Sequence, residues 1–331
     1  MDPWTVELVV VRGDAWSSSE RRSISRDVER GVRTRIRQGV TVLREDWDAG
    51  EGRVRERNRH VLRARAFDAV SDERPVFSHW TAAVLHGLPV LDVLLDRVHV
   101  LGGERDERRG LAGVLTHRFP VRPEETTVLG GLLVTAMSRT VVDVAGGAAF
   151  EAGVVAADAA LLRGLPREVL EAAVDLAGPR RARARILDVV AFASPGGESA
   201  AESTARVTMF RLGLEPQELQ HEVRDREGLA GVLDTFDRRR RIGTDIDGLE
   251  KYLNPALAPD GPGAAVVREK RREDRVRRGI AGLARFGYRE SRSTTLLRPV
   301  LASVGLLPAE RRPTLADWAA EARQARPRVR R

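Results

Sequence analysis

The longest apolar stretch in the chain runs from Val141 to Leu162, and Asp143, Glu151 and Asp158 interrupt it. A bilayer span needs about 20 consecutive, predominantly apolar residues. The interruptions exclude a span and leave the stretch to fold as helices of a globular core. Ser138 caps the first helix, and a second runs from Val154 to Gly164. Only 5% of residues are aromatic, so cores must be built from Val, Leu, Ile and Ala. The 331 residues suffice for two or three domains. There is no cysteine, which removes disulfides and thiolate metal sites. The opening MDPWTVELVVVRGD lacks a basic leader region and does not read as a signal peptide; a cytoplasmic location is expected by elimination.

The net charge is +8. Such a balance points to a polyanion, of which nucleic acid is the commonest, against the alternative of a merely solvated surface. Of 56 basic residues only Lys251 and Lys270 are lysine. The excess of Arg, Ala, Gly and Val fits a GC-rich genome. The two lysines then mark positions needing a compact ammonium, which guanidinium replaces poorly. Both lie close to the richest acidic cluster of the chain.

Residues 17–46 predict a helix starting at the serines before Glu20, a second short helix over Ser23–Glu29 ended by Gly31, and a basic strand–turn–strand over Val32–Val42 turning at Gly39. That is the order of a winged helix-turn-helix, with Arg30, Arg33, Arg35 and Arg37 on the wing facing phosphate. Residues 55–88 read as helix, stopped by Gly87 and Pro89. Short strands follow around 96–103, 113–119 and 131–137, then helices to about 192, a small α/β middle domain. Its His79, His86, His99 and His117 lack tight metal-ligand spacing and read as structural or surface residues. Ser194-Pro195-Gly196-Gly197 breaks the helical pattern and is the best domain boundary. The closing RQARPRVRR is expected to be disordered or to trail along nucleic acid.

Beyond the break, Glu198, Glu202 and Arg206 fall at helical spacing on one face. Residues 228–252 then read as a hairpin turned by four arginines. Asp234 lies on its first strand, Asp245 and Asp247 on its second. Carboxylates mid-strand are costly to bury unless paired or metal-bound, and antiparallel neighbours can bring Asp234 and Asp245 to one cation. Mg²⁺ (or Mn²⁺) suits a site of one or two carboxylates with retained waters and substrate phosphate. It activates a bound water for attack on phosphorus, and Lys251 is placed to orient that water. The competing reading puts Asp225, Asp234, Asp237, Asp245 and Asp247 simply in turns, where Asp is common.

The segment from Glu202 to about Tyr288 resembles the PD-(D/E)XK nucleases related to very short patch repair endonucleases. The resemblance rests on Glu202-Ser203-Thr204-Ala205-Arg206, Gln220-His221-Glu222-Val223, Leu233-Asp234-Thr235, Asp245-Ile246-Asp247-Gly248-Leu249-Glu250-Lys251-Tyr252 and Glu269-Lys270-Arg271-Arg272-Glu273-Asp274. These correspond in order to a helix, three strands and a second helix of actinobacterial members. Two positions depart: Asp245 stands where the family usually has Glu, and Asp247 where it has Lys, so Lys251 must compensate. The front half resembles the antitoxin of AbiE-type toxin–antitoxin systems, through Arg35–Val40, Ser78–Pro89, Val134 to Asp143 and Asp158–Leu161. That resemblance implies a winged helix binding DNA at residues 17–46, and a cognate toxin as possible partner.

The expected architecture is α/β, or α+β overall. It comprises a winged helix over 1–60, a small α/β domain over 61–195, a restriction-endonuclease-like mixed sheet flanked by helices over 196–310, and a basic tail over 311–331. The expected function is a DNA-binding, Mg²⁺-dependent endonuclease in defence, toxin–antitoxin or repair. Asp234, Asp245 and Glu202 are the metal ligands, with Asp247 and Lys251 catalytic beside them. Arg206, Arg271, Arg272 and Arg275 grip the DNA backbone. The alternatives are an antitoxin or repressor with an inert nuclease-like domain, and a structural nucleoprotein component. The expected location is cytoplasmic and nucleoid-associated, with no membrane partner.

Overall fold

The computed structural model describes residues 1–12, 16–102, 111–178, 181–247 and 262–325, with the side chains of 262–269 left aside. The chain is mixed α/β and divides into two compact units. One is Met1–Gly147 with Ala172–Arg180; the other is Ala148–Glu171 with Arg181–Arg331.

The first unit opens with β1 (Val9–Val10), α1 (Ser18–Glu29), β2 (Arg33–Arg37), β3 (Val40–Leu43), α2 (Arg44–Asp48) and α3 (Gly52–Val70). The two short helices expected over 17–30 are one helix. Ser17 and Glu20 close a single capping box at its start, and no Gly or Pro interrupts it before Gly31. The basic hairpin is present: β3 lies between β1 and β2 in an antiparallel sheet. Gly39 turns it at φ +76, where an added Cβ would sit 3.1 Å from the Val11 carbonyl. Val6, Val42 and Leu62 form its core.

The helix expected over 55–88 is split. Pro75 has no N–H to continue a helix, and β4 (Val76–Phe77) precedes α4 (His79–Leu85). The unit continues with β5 (Val98–Leu101), β6 (Val114–His117), β7 (Thr126–Leu129), β8 (Leu132–Thr135) and α5 (Met137–Gly147). These strands order as β6-β5-β4-β8-β7, over a core including Phe67, Phe77, Val98, Val100 and Val134. Arg139 of α5 is buried between Asp143 (2.9 Å) and Glu125 (2.7 Å), one answer to a charge in an apolar stretch.

The second unit holds α6 (Phe150–Leu162), part of α7 (Arg167–Leu176), α8 (Arg183–Phe192), α9 (Ala200–Leu212), β9 (Glu218–Asp225), β10 (Gly228–Asp237), β11 (Ile242–Asp247), α10 (Pro262–Gly279), β12 (Gly282–Gly287), α11 (Tyr288–Ser291), α12 (Thr294–Ser303) and α13 (Leu315–Gln324). Its sheet runs β12-β11-β10-β9: β9, β10 and β11 are an antiparallel meander, and α10 crosses over to β12, parallel to β11. Val276 of α10 packs with Val223, Leu233, Phe236 and Leu283 of the sheet.

Residues 194–197 are not a linker. Ser194, Gly196 and Gly197 are buried within the second unit, and an added Cβ would meet Leu219 at 2.8 Å from Gly196, or Asp158 Oδ2 at 2.7 Å from Gly197. The segment does interrupt the helical pattern, between α8 and α9, but its glycines serve close packing. Part of the expected tail is ordered as well. α13 buries Trp318, whose ring stacks on Phe192 at 5.5 Å between centroids; residues 326–331 lie outside the described residues.

Candidate functional site

Glu202, Asp234 and Asp245 come from α9, β10 and β11. The cross-strand pair Thr235–Thr244 makes Asp234 and Asp245 the next cross-strand neighbours, where the ladder opens. In place of a ladder bond, the Ile246 N–H donates to Asp234 Oδ2 at 2.5 Å. Asp245 is buried and accepts from Arg272 Nη2 of α10 at 2.6 Å. Asp247, at the end of β11, accepts from Arg285 Nη2 of β12 at 3.2 Å.

Glu202 occupies the third position of α9, where a carboxylate commonly closes the helix start. Glu198 does not share its helical face: it precedes the Ser199 cap. Glu202 Oε1 accepts from Ser199 Oγ (2.8 Å), and Oε2 from the Glu198 N–H (3.0 Å) and Gln220 Nε2 (3.0 Å). These donors favour the ionised form, yet they lose. Burial, reinforced by the negative charge of Asp234, pushes the Glu202 carboxyl up to about 8. A carboxyl used only as a helix cap has no need of a second carboxylate beside it.

Asp225 and Asp237 follow the turn reading. Asp225 Oδ1 accepts the Glu227 N–H and Asp237 Oδ1 the Arg240 N–H, at 2.8 and 2.7 Å. Lys251 lies outside the described residues. Among the described residues, no group of three or more His, Asp or Glu side chains stands as a metal shell would.

The basic residues divide by burial. Arg206 is 2% exposed and cannot reach a DNA backbone. Its Nη1 donates to Asp158 Oδ2 at 2.7 Å and its Nη2 to the Phe192 carbonyl at 2.8 Å. Asp158 also accepts from the Ser194 N–H and Ser203 Oγ, both at 2.7 Å. Burial pushes the Asp158 carboxyl above its ordinary range against the pull of those partners. Ser203 and Arg206 of the helix motif are therefore architecture, and Glu202 faces a different set of partners. Arg275 binds both oxygens of Asp225 at 2.6 and 2.8 Å. Arg272 belongs to Asp245, while Arg271 is exposed. On the first unit's hairpin, Arg30 and Arg35 are exposed, and Arg33 is half-buried with Nη1 enclosed and unbonded. Arg37 lies over the Phe67 ring at 4.6 Å and does not face outward as a wing residue would.

Three histidines that look scattered in sequence meet in the first unit. His79 stacks on His117 with centroids 3.5 Å apart, and His117 Nε2 lies 3.0 Å from His99 Nδ1. Parallel strands β5 and β6 pair His99 with Leu115 and Leu101 with His117, a register invisible to spacing along the chain. Burial and the neighbouring imidazoles push His99 down to about 2; burial pushes His117 down to about 4. His86 is separate, bonded to the Thr135 carbonyl at 2.8 Å.

No family model matches the chain, and neither does any curated protein or solved structure.

Proposed function

We propose that this chain is a DNA-binding protein whose second unit carries a divalent-metal-dependent phosphodiesterase site. The observation that carries the reading is the repulsion between buried Glu202 of α9 and Asp234 of β10, with Asp245 of β11 next to Asp234 in the strand register. A buried carboxyl beside a like charge costs stability, and groups perturbed in this way cluster at functional sites. The order α9, β9, β10, β11, α10, β12 supports it, because the nuclease-like motifs fall on these elements in that sequence. The donor set is all carboxylate oxygen, which suits Mg²⁺ or Mn²⁺, and two carboxylates suffice for a cation that keeps its waters. Such a cation, when bound, supplies an activated water and neutralises phosphate charge. The chain's own part is to aim Asp234 through the Ile246 amide, to hold Asp245 from α10, and to keep Glu202 beside them. Exposed Arg30, Arg35 and Arg271 offer sequence-independent contacts to the backbone of DNA.

The test is nicking of supercoiled plasmid and cleavage of single-stranded DNA in Mg²⁺ or Mn²⁺. We expect cation-dependent cleavage that falls to background in Asp234→Ala and Asp245→Ala. Cleavage that survives both substitutions would overturn the assignment.

One observation favours a second reading, a repressor or antitoxin with an inert nuclease-like unit. Arg272 and Arg285 already place guanidinium groups on Asp245 and Asp247, supplying internally the positive charge that a cation would bring. Retarded DNA migration without cleavage in either cation supports that reading.

A further inference from the structure

Strand β9 has one residue in an unusual conformation. Gln220 has φ +54, a left-handed conformation that glutamine adopts only at a cost. It lies between the pairs Leu233–His221 and Thr235–Leu219, and hence across from Asp234, whose other neighbour is Asp245. Gln220, Asp234 and Asp245 thus form a row over three strands. From that row the Gln220 amide leaves the sheet to donate to Glu202 Oε2 at 3.0 Å. The same nitrogen reaches the Gly196 carbonyl at 3.5 Å, on the segment whose glycines permit close packing. The other donors to Glu202, Ser199 Oγ and the Glu198 N–H, belong to its own helix start. They fix the carboxylate to α9, whereas Gln220 fixes it to the sheet that carries Asp234 and Asp245.

We infer that Gln220 is a positioning residue, holding Glu202 beside Asp234 as the outer carboxylate of a divalent-cation site. The inference rests on the hydrolase reading above and adds to it a residue with no charge and no direct part in the chemistry. Strained conformations persist where the surroundings over-determine them, and they cluster at functional sites. Here the strain has an identifiable return: an extended glutamine at 220 would follow the ladder's alternation, while the left-handed one releases its side chain toward α9. Partners that orient the groups around a metal typically contribute 10–100-fold in affinity.

The test uses the full chain with Gln220→Gly and Gln220→Asn. Glycine takes a positive φ without penalty. Asparagine tolerates it and keeps the amide, but is one methylene too short to reach Glu202. Thermal unfolding is measured without divalent ions, and Mn²⁺ binding by calorimetry. Both variants are expected to unfold at or above the wild-type midpoint while Mn²⁺ affinity falls roughly tenfold and the Mn²⁺-induced rise in midpoint shrinks. A purely structural glutamine would not move stability and affinity in opposite directions. Unchanged Mn²⁺ affinity in both variants overturns the role of Gln220 and leaves the hydrolase reading standing. A midpoint that falls along with affinity in both variants overturns it in favour of a structural role. Absence of Mn²⁺ binding by the wild type at millimolar concentration overturns both readings.

Discussion

Arg206 and Arg35 carry the same charge, and the sequence offers both to the phosphate backbone; burial separates them. Arg206 sits inside the second unit on Asp158, and removing one partner leaves a buried charge alone. Arg206→Ala should therefore cost about 3–5 kcal/mol, read as a lower urea midpoint. At Arg35, exposed on β2, alanine should leave the midpoint unchanged, weaken DNA binding and lower the salt slope by about one. Gel shifts over a salt series check that outcome. The histidines make a prediction in pH. Burial pushes His60 down to about 4, and His117 likewise, from an ordinary value of 6.5. The unfolded chain binds those protons first, so stability is full above about pH 6.5 and declines as the pH drops toward about 4. Urea midpoints that stay level from pH 7 to 4.5 would contradict this.

At the scale of elements, small residues decide where segments approach. The Gly196–Gly197 crossing lets Leu219, Asp158 and Ser203 come within reach of backbone. Gly196→Ala should destabilise by about 1–3 kcal/mol through overpacking, seen as a lower melting midpoint. α10 is the other decisive element. It covers the sheet through Val276 and, four residues earlier in the same helix, puts Arg272 on Asp245. Replacing Arg272 with alanine removes the internal counter-charge from a buried carboxylate. In the hydrolase reading this should strengthen Mn²⁺ binding. In the inert reading it should only lower stability. Calorimetry and unfolding measured on one preparation separate the two.

Across the molecule, a net charge of +8 gives any polyanion a favourable but salt-sensitive encounter. DNA affinity of the whole chain should therefore fall steeply between low and physiological salt; a flat salt response would argue for a protein partner. No helix among the described residues is long and apolar enough to cross a membrane, in keeping with the interrupted stretch at Val141–Leu162.

The sequence by itself determined the mixed α/β class, the basic hairpin turning at Gly39, the hairpin from Gly228 to Asp247, and the turn roles of Asp225 and Asp237. These follow from local periodicity and turn chemistry, both of which act over a few residues. Tertiary structure alone decided the rest: that Arg206 and Ser203 serve Asp158 from 48 and 45 positions away, that Gln220 reaches Glu202, that three histidines stack, and that Ala172–Arg180 belongs to the first unit while the chain on either side of it belongs to the second. Each depends on strand register or helix packing between distant segments. A side chain's partner is set by the surface folded against it, and its sequence neighbours do not encode that surface.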